Sequence, residues 1–143
     1  IIDEFGEMAK EKNIRLSTIL PNTQIKIYGN HEMFHSIISN LIDNAIKYSY
    51  KGGQIDVSLY LTKDEHCIFA VADQGVGIPL KYQKRIFERF YRVDKARSRS
   101  AGGTGLGLSI VKHLADLQHA EVWVESKQDQ GSCFYVKYRI SPF

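Results

Sequence analysis

The sequence predicts an α+β domain, a two-layer α/β sandwich with about three helices on one face of a mixed, mostly antiparallel sheet of about five strands. Three observations lead there. Between residues 31 and 49, Ile37, Ile38, Leu41, Ile42, Ala45 and Ile46 recur at helical spacing. Between residues 55 and 61, Ile55, Val57, Leu59 and Leu61 alternate strictly with Asp56, Ser58 and Tyr60, as in a half-buried strand. The order of elements is helix, strand, helix, hairpin, long connection, helix, hairpin, which suits helices segregated on one side of paired strands.

Taken in order, residues 1–13 read as an amphipathic helix with Ile2, Phe5, Met8 and Ala9 on one side. Residues 15–20 form a short strand, stopped by Pro21-Asn22. A weakly alternating stretch at 24–28 leads to Gly29-Asn30, where Asn30 is placed to cap the next helix. The central helix runs over 31–49 and ends at Lys51-Gly52-Gly53. The strand at 55–61, a turn at 62–65 and a returning strand at 67–72 make an antiparallel hairpin. The segment 80–90 is compatible with a helix, whereas the stretch from Tyr91 to Gly103 has no period and is rich in small and basic residues. A third helix begins near Thr104, with Leu106, Leu108, Ile110, Val111, Leu114 and Leu117 as its apolar positions. Strands at 121–126 and 132–140, turned at Asp129-Gln130-Gly131, close the chain.

One domain accounts for 143 residues, and a hydrophobic fraction of 43% with 24% charged residues is ordinary for a globular chain. The net charge of +3 is too mild to indicate nucleic acid or a membrane surface. The basic residues concentrate, however, between Lys81 and Arg99, opposed only by Glu88 and Asp94, which fits an anionic ligand or partner. Cys67 and Cys133 lie in apolar strand-like runs, make no CxxC pair and read as buried free thiols. No run of about 18 apolar residues is present to span a bilayer. The opening IIDEFGEMAK is helical from its start and lacks an initiator Met, as in a fragment of something longer.

Three stretches carry chemistry. On the central helix, Asn40, Asn44 and Lys47 recur at i, i+4 and i+7, with Tyr48 extending the stripe. Amide oxygen suits a hard cation such as Mg²⁺, lysine suits a phosphate, and a phenol ring suits a base or a ribose; the same stripe would also serve to cap neighbouring loops. The loop Asp73-Gln74-Gly75-Val76-Gly77-Ile78-Pro79 joins a strand-end carboxylate, able to accept from an exocyclic amine, to glycines that let backbone approach a flat base. Alone it is also a plain turn. The run Gly102-Gly103-Thr104-Gly105-Leu106-Gly107 aims amide N–H groups at an anion as a helix opens. It is neither a P-loop, lacking GK[ST], nor a dinucleotide fingerprint, lacking the preceding strand.

Together these stretches resemble the nucleotide-binding (Bergerat) fold shared by sensor histidine kinases, DNA gyrase, Hsp90 and MutL. NLIDNAIKYS is similar to the N box, DQGVGIP to the G1 box, RIFERFYRVD to the F box and GGTGLGLSIVK to the G2 box. The F and G2 boxes place the resemblance with the catalytic and ATP-binding domain of two-component histidine kinases, and most closely with the phosphate-sensing subtype. The resemblance implies that Asn44 holds Mg²⁺, that Asn40 supports the phosphates and metal, that Lys47 contacts phosphate and that Tyr48 flanks the nucleotide. It implies that Asp73 reads the adenine amine, with Gly75, Gly77 and Ile78 as pocket wall. Arg92 and Arg97, in an ATP lid over about 80–104, would reach the γ-phosphate, and Thr104, Gly105, Leu106 and Gly107 would cradle phosphate. Phe87 and Phe90 would anchor the lid to the core and to the phosphoacceptor domain, or simply pack in the core.

The same resemblance implies partners and limits. The γ-phosphoryl group of Mg-ATP would pass to a histidine on a dimerisation and phosphoacceptor domain, and from there to a response regulator, in a homodimeric protein anchored in a bacterial inner membrane with this domain in the cytoplasm. His31-Glu32 lacks the phosphoacceptor context and reads as an N-terminal helical turn, so that histidine is not on this chain. Gyrase-like ATPases carry a glutamate where this chain has Asn40; an amide cannot serve as the base for water. The alternatives are an autonomous gyrase- or Hsp90-like ATPase, which Asn40 opposes, and a catalytically silent nucleotide-binding module, which Asn44, Lys47 and Arg97 oppose. Nucleic-acid binding lacks the interleaved aromatics it needs.

Overall fold

A computed structural model describes residues 1–92 and 106–142. Among these residues the α-helices are α1 (Gly6–Glu11), α2 (His31–Tyr48) and α3 (Gly107–Leu117), with 3₁₀ turns at Ile2–Phe5 and Leu80–Tyr82. The strands are β1 (Arg15–Ile19), β2 (Gln54–Leu61), β3 (His66–Asp73), β4 (Glu121–Lys127) and β5 (Gly131–Arg139). They form one sheet in the order β1-β2-β3-β5-β4, in which only β1 and β2 run parallel. The two-layer, mostly antiparallel architecture expected from the sequence is therefore present, with both hairpins at their expected places.

The helical layer is organised by α2. Asn30 accepts from the Met33 N–H at 2.9 Å, the expected side-chain cap. Ile37, Ile38, Leu41, Ile42, Ala45 and Ile46 are all buried, so the apolar stripe read from the sequence is the helix's core face. It packs on Ile55, Val57, Phe69, Val71, Phe134 and Val136 of the sheet in one continuous core. At the hairpin tip the β2 alternation runs out, and Leu61 is half exposed beside the turn. Phe34 makes edge contacts with Phe69 and Tyr138, closing the end of the core near the start of α2.

On the face away from α2 and α3, the strand registers align Trp123, Tyr135, Ala70, Ser58 and Ile19 across the five strands. Trp123 lies flat on Tyr135 with ring centroids 5.1 Å apart.

Several expectations need correction. The first helix is a 3₁₀ turn followed by six helical residues, and Met8 is exposed while Ala9 is buried. The stretch 80–90 is not an α-helix. Successive i→i+3 turns run from Pro79 to Tyr91, through Tyr82 N–H to Pro79 O at 2.9 Å, Arg85 to Tyr82 at 2.9 Å and Glu88 to Arg85 at 2.9 Å. The side chains explain it. Ile86 and Phe87 must reach the core, Phe87 against Phe134, while Gln83 is tied to the carbonyls of Ile78 and Ser126. Phe90, by contrast, is mostly exposed and does not share that packing. On α3 only Val111 and Ala115 are fully buried; Ile110 and Leu117 face outward. Cys67 is buried, but Cys133 only half so, because it lies on the outer sheet face opposite Glu125.

Candidate functional site

The polar stripe of α2 is where expected, half-buried along the helix edge between the core face and solvent. Asn40 Nδ2 donates to the Ser36 carbonyl at 2.7 Å, which fixes the rotation of its amide. The amide oxygen then faces the start of α3, since a Cβ on Gly107 would stand 3.2 Å from Asn40 Oδ1. Helix α3 begins here, with Leu106 as its N-cap residue and no side-chain cap. One turn further along α2, Asn44 is half-buried on the same edge. Lys47 pairs with Asp43 at 2.8 Å, a contact the sequence reading did not anticipate and which a phosphate must compete with. Two amides and an ammonium beside a helix N-terminus make a donor set that fits Mg²⁺ and phosphate. Asn44 would hold the cation with Asn40 in support, and Lys47 would meet the phosphate.

The second half of the site is the loop 73–79, docked against the last turn of α2. Val76 N–H donates to the Tyr48 carbonyl at 3.2 Å. A Cβ on Gly75 would run into that same carbonyl, so only glycine permits the approach. Gly77 has φ +67°, and a Cβ there would strike the Lys127 carbonyl of the β4–β5 turn. Asp73, at the end of β3, turns its carboxylate into the loop. Its Oδ1 accepts from Gly75 N–H at 2.9 Å and Ser132 N–H at 3.3 Å. Burial pushes the Asp73 carboxyl above its ordinary value, and these two N–H groups oppose that shift.

A strap that the sequence motifs do not contain holds this loop from the other side. Ser126 Oγ accepts from Ile78 N–H at 2.8 Å and donates to Gly131 O at 2.9 Å. The Ser126 and Ser132 hydroxyls meet at 2.7 Å, and Asp129 N–H donates to Val76 O at 2.6 Å. The β4–β5 turn is thus the back wall of the Asp73 loop. A serine on a strand carries no signal in a single sequence, and only the register reveals its partner.

The structure therefore gathers Asn40, Asn44, Lys47, Tyr48, Asp73, Gly75, Gly77, Ile78, Leu106 and Gly107 around the α2 edge. Arg92 is half-buried at the end of the first described stretch. Arg97, Thr104 and Gly105 lie outside the described residues, as does the rest of 93–105. Among the described residues no cluster of three or more His, Cys, Asp and Glu could hold a metal. Where a glycine is usual after the third helix, His119 adopts φ +57°, and Gln118 anchors the turn by accepting from Asn30 N–H at 2.7 Å.

Residues 29–142 match the family model described as histidine kinase-, DNA gyrase B- and HSP90-like ATPase. The sensor histidine kinase WalK of Bacillus subtilis is 38% identical over 133 residues, covering 92% of this chain and 22% of WalK. The chain thus spans about a fifth of the length of that relative. Among solved structures, the mycobacterial sensor histidine kinase MprB superposes with a TM-score of 0.82 at 27% identity, covering 99% of this chain and 93% of that one. Full-length ShkA in complex with AMPPNP gives a TM-score of 0.85 at 26% identity, covering 98% of this chain and 28% of that one.

Proposed function

Because this chain belongs to the histidine kinase-, DNA gyrase B- and HSP90-like ATPase family, we propose that it binds Mg-ATP along the α2 edge and donates the γ-phosphoryl group to a histidine on a separate domain. On this reading residues 1–143 are the catalytic and ATP-binding domain of a longer two-component sensor kinase, with a lid over about 80–104. The observation that carries it is a single line of contacts: α2 meets the start of α3 at Asn40–Gly107 and the Asp73 loop at Tyr48–Gly75. A nucleotide with its base at Asp73 and its phosphates at Asn44 would lie along that line. The AMPPNP bound by ShkA, a structural relative, supports ATP as the ligand.

Each residue has a distinct part. Asp73 accepts from the adenine amine, and Gly75 and Ile78 line the base. Asn44, supported by Asn40, would hold Mg²⁺, which would supply positive charge against the phosphates; Lys47, Arg92 and Arg97 stabilise charge developing on the transferred group. The first amides of α3, with Thr104, Gly105, Leu106 and Gly107, cradle the phosphate chain. An amide at position 40 takes no proton from water, so transfer favours an incoming imidazole nucleophile over hydrolysis. The acceptor histidine lies on a dimerisation domain outside this chain, a response regulator is the next acceptor, and the intact protein is a homodimer anchored at the inner membrane. No helix among the described residues is long and apolar enough to cross a membrane.

The test is calorimetric titration with a non-hydrolysable ATP analogue, with and without Mg²⁺, beside GTP. One adenine-selective site whose affinity depends on Mg²⁺ is expected. Asn44→Ala should remain folded, lose the Mg²⁺ dependence and fail to phosphorylate a histidine domain supplied in trans. Normal transfer by folded Asn44→Ala would overturn the metal role.

A further inference from the structure

The last turn of α2 is held by a side chain that belongs to none of the four boxes. Lys12 Nζ donates to the carbonyls of Ile46 at 2.9 Å, Lys47 at 3.1 Å and Ser49 at 3.2 Å. The terminal carbonyls of a helix find no partner within it, and the dipole leaves partial negative charge there. Here each of them is engaged. Ser49 Oγ donates to Ala45 O at 2.6 Å, Lys12 takes Ile46, Lys47 and Ser49, and the Tyr48 carbonyl receives Val76 N–H from the Asp73 loop. The backbone around Lys12 grips the segment that follows: its carbonyl accepts from Gly52 N–H at 2.8 Å, and Arg15 N–H donates to Gly53 O at 3.0 Å.

We propose that Lys12 is a positioning residue of the nucleotide site, an inference that rests on the site reading above. Its ammonium fixes the backbone from which Lys47 and Tyr48 project and onto which Val76 docks. It also cancels the negative end of α2 beside the place where a polyanion binds. The α1–β1 corner, through which the chain enters the sheet, is thereby coupled to both halves of the pocket through one side chain. Had the ammonium only closed the helix end, its loss would lower stability and leave ligand affinity unchanged.

The test uses the chain carrying Lys12→Met, which keeps the length and removes the charge, or Lys12→Arg, which keeps charge and donors. Affinity for a non-hydrolysable ATP analogue with Mg²⁺ is measured at a temperature where the variants are folded, together with hydrogen exchange at the Val76 amide. Lys12→Met should weaken binding by about tenfold or more and speed exchange at Val76, while Lys12→Arg stays within about threefold. Unchanged affinity in folded Lys12→Met, or an arginine variant as weak as the methionine one, overturns the proposal. If the unmodified chain binds no analogue, the nucleotide reading fails. The positioning role falls with it, whereas full affinity in folded Lys12→Met beside a binding unmodified chain overturns the Lys12 role alone. Should Lys12→Met not fold, Lys12→Gln replaces it; failure of both to fold makes Lys12 a staple of the fold and overturns the positioning role.

Discussion

Asp73 shows how one side chain can be costly to the empty protein and useful to the occupied one. Burial raises its carboxyl above the ordinary 3.8, so the folded chain binds this proton more tightly than the unfolded chain. The stability it contributes is therefore fully present below pH 3.8 and is lost as pH rises through the higher folded value. Adenine recognition runs the other way, because the ionised carboxylate is the stronger acceptor. Affinity for adenine nucleotide should therefore fall on acidification, beginning above pH 3.8, and Asp73→Asn should abolish that pH dependence. The same variant should bind ATP analogues about tenfold or more weakly while unfolding at a higher temperature near neutral pH. Calorimetry across a pH series and thermal denaturation check both halves. Unchanged adenine affinity in Asp73→Asn would remove this residue from base recognition. Asp73 was legible in the sequence because a carboxylate ending an apolar strand before two glycines is an uncommon placement. Lys12 was not, since its nearest acceptor lies 34 residues away and a lysine beside a turn looks like ordinary surface.

Among the elements, the loop 73–79 is defined by what presses on it from both sides. Tyr48 O stands against Gly75, and Lys127 O against Gly77, which is already in the left-handed region at φ +67°. Gly77→Ala should destabilise the chain by about 1–3 kcal/mol, from backbone strain and the displaced β4–β5 turn. Urea denaturation should show a lower midpoint with an unchanged slope. A midpoint equal to that of the unmodified chain would mean the loop relaxes without cost. Helix α2 was the most legible element, because one 3.6-residue period placed its core face and its polar stripe independently and both agree with the structure. The segment after Pro79 was the least legible. Its spacing of Ile86 and Phe87 permits a helix, but the Gln83 bonds to Ile78 O and Ser126 O and the pull of two side chains into the core favour tighter turns. Those forces come from elements distant in sequence, and no local pattern encodes them.

At the scale of the molecule, the sheet brings the two halves of the site together. Strands β3 and β5 pair from His66 to Ala72, which sets Asp73 beside Ser132 and the loop beside the β4–β5 turn. The order of elements made this sandwich predictable, whereas the cross-strand seat of Ser126 and Ser132 depends on a register no sequence pattern states. The chain as a whole carries an amide, Asn40, where a hydrolase of this fold would carry its base. With Mg-ATP and no histidine domain, steady-state phosphate release should stay at background, and adding that domain should produce transfer to it. Rapid release by the chain alone would return it to the autonomous ATPases. The outer face of the sheet has a different consequence. Trp123 is the sole tryptophan of the chain, and it rests on Tyr135 in the layer opposite α2 and α3. Its emission is thus an internal gauge of whether the sheet is intact, insulated by the thickness of the core from whatever occupies the helical side. A change in that light marks loss of the scaffold, and a pocket that fills or empties in darkness leaves the scaffold whole.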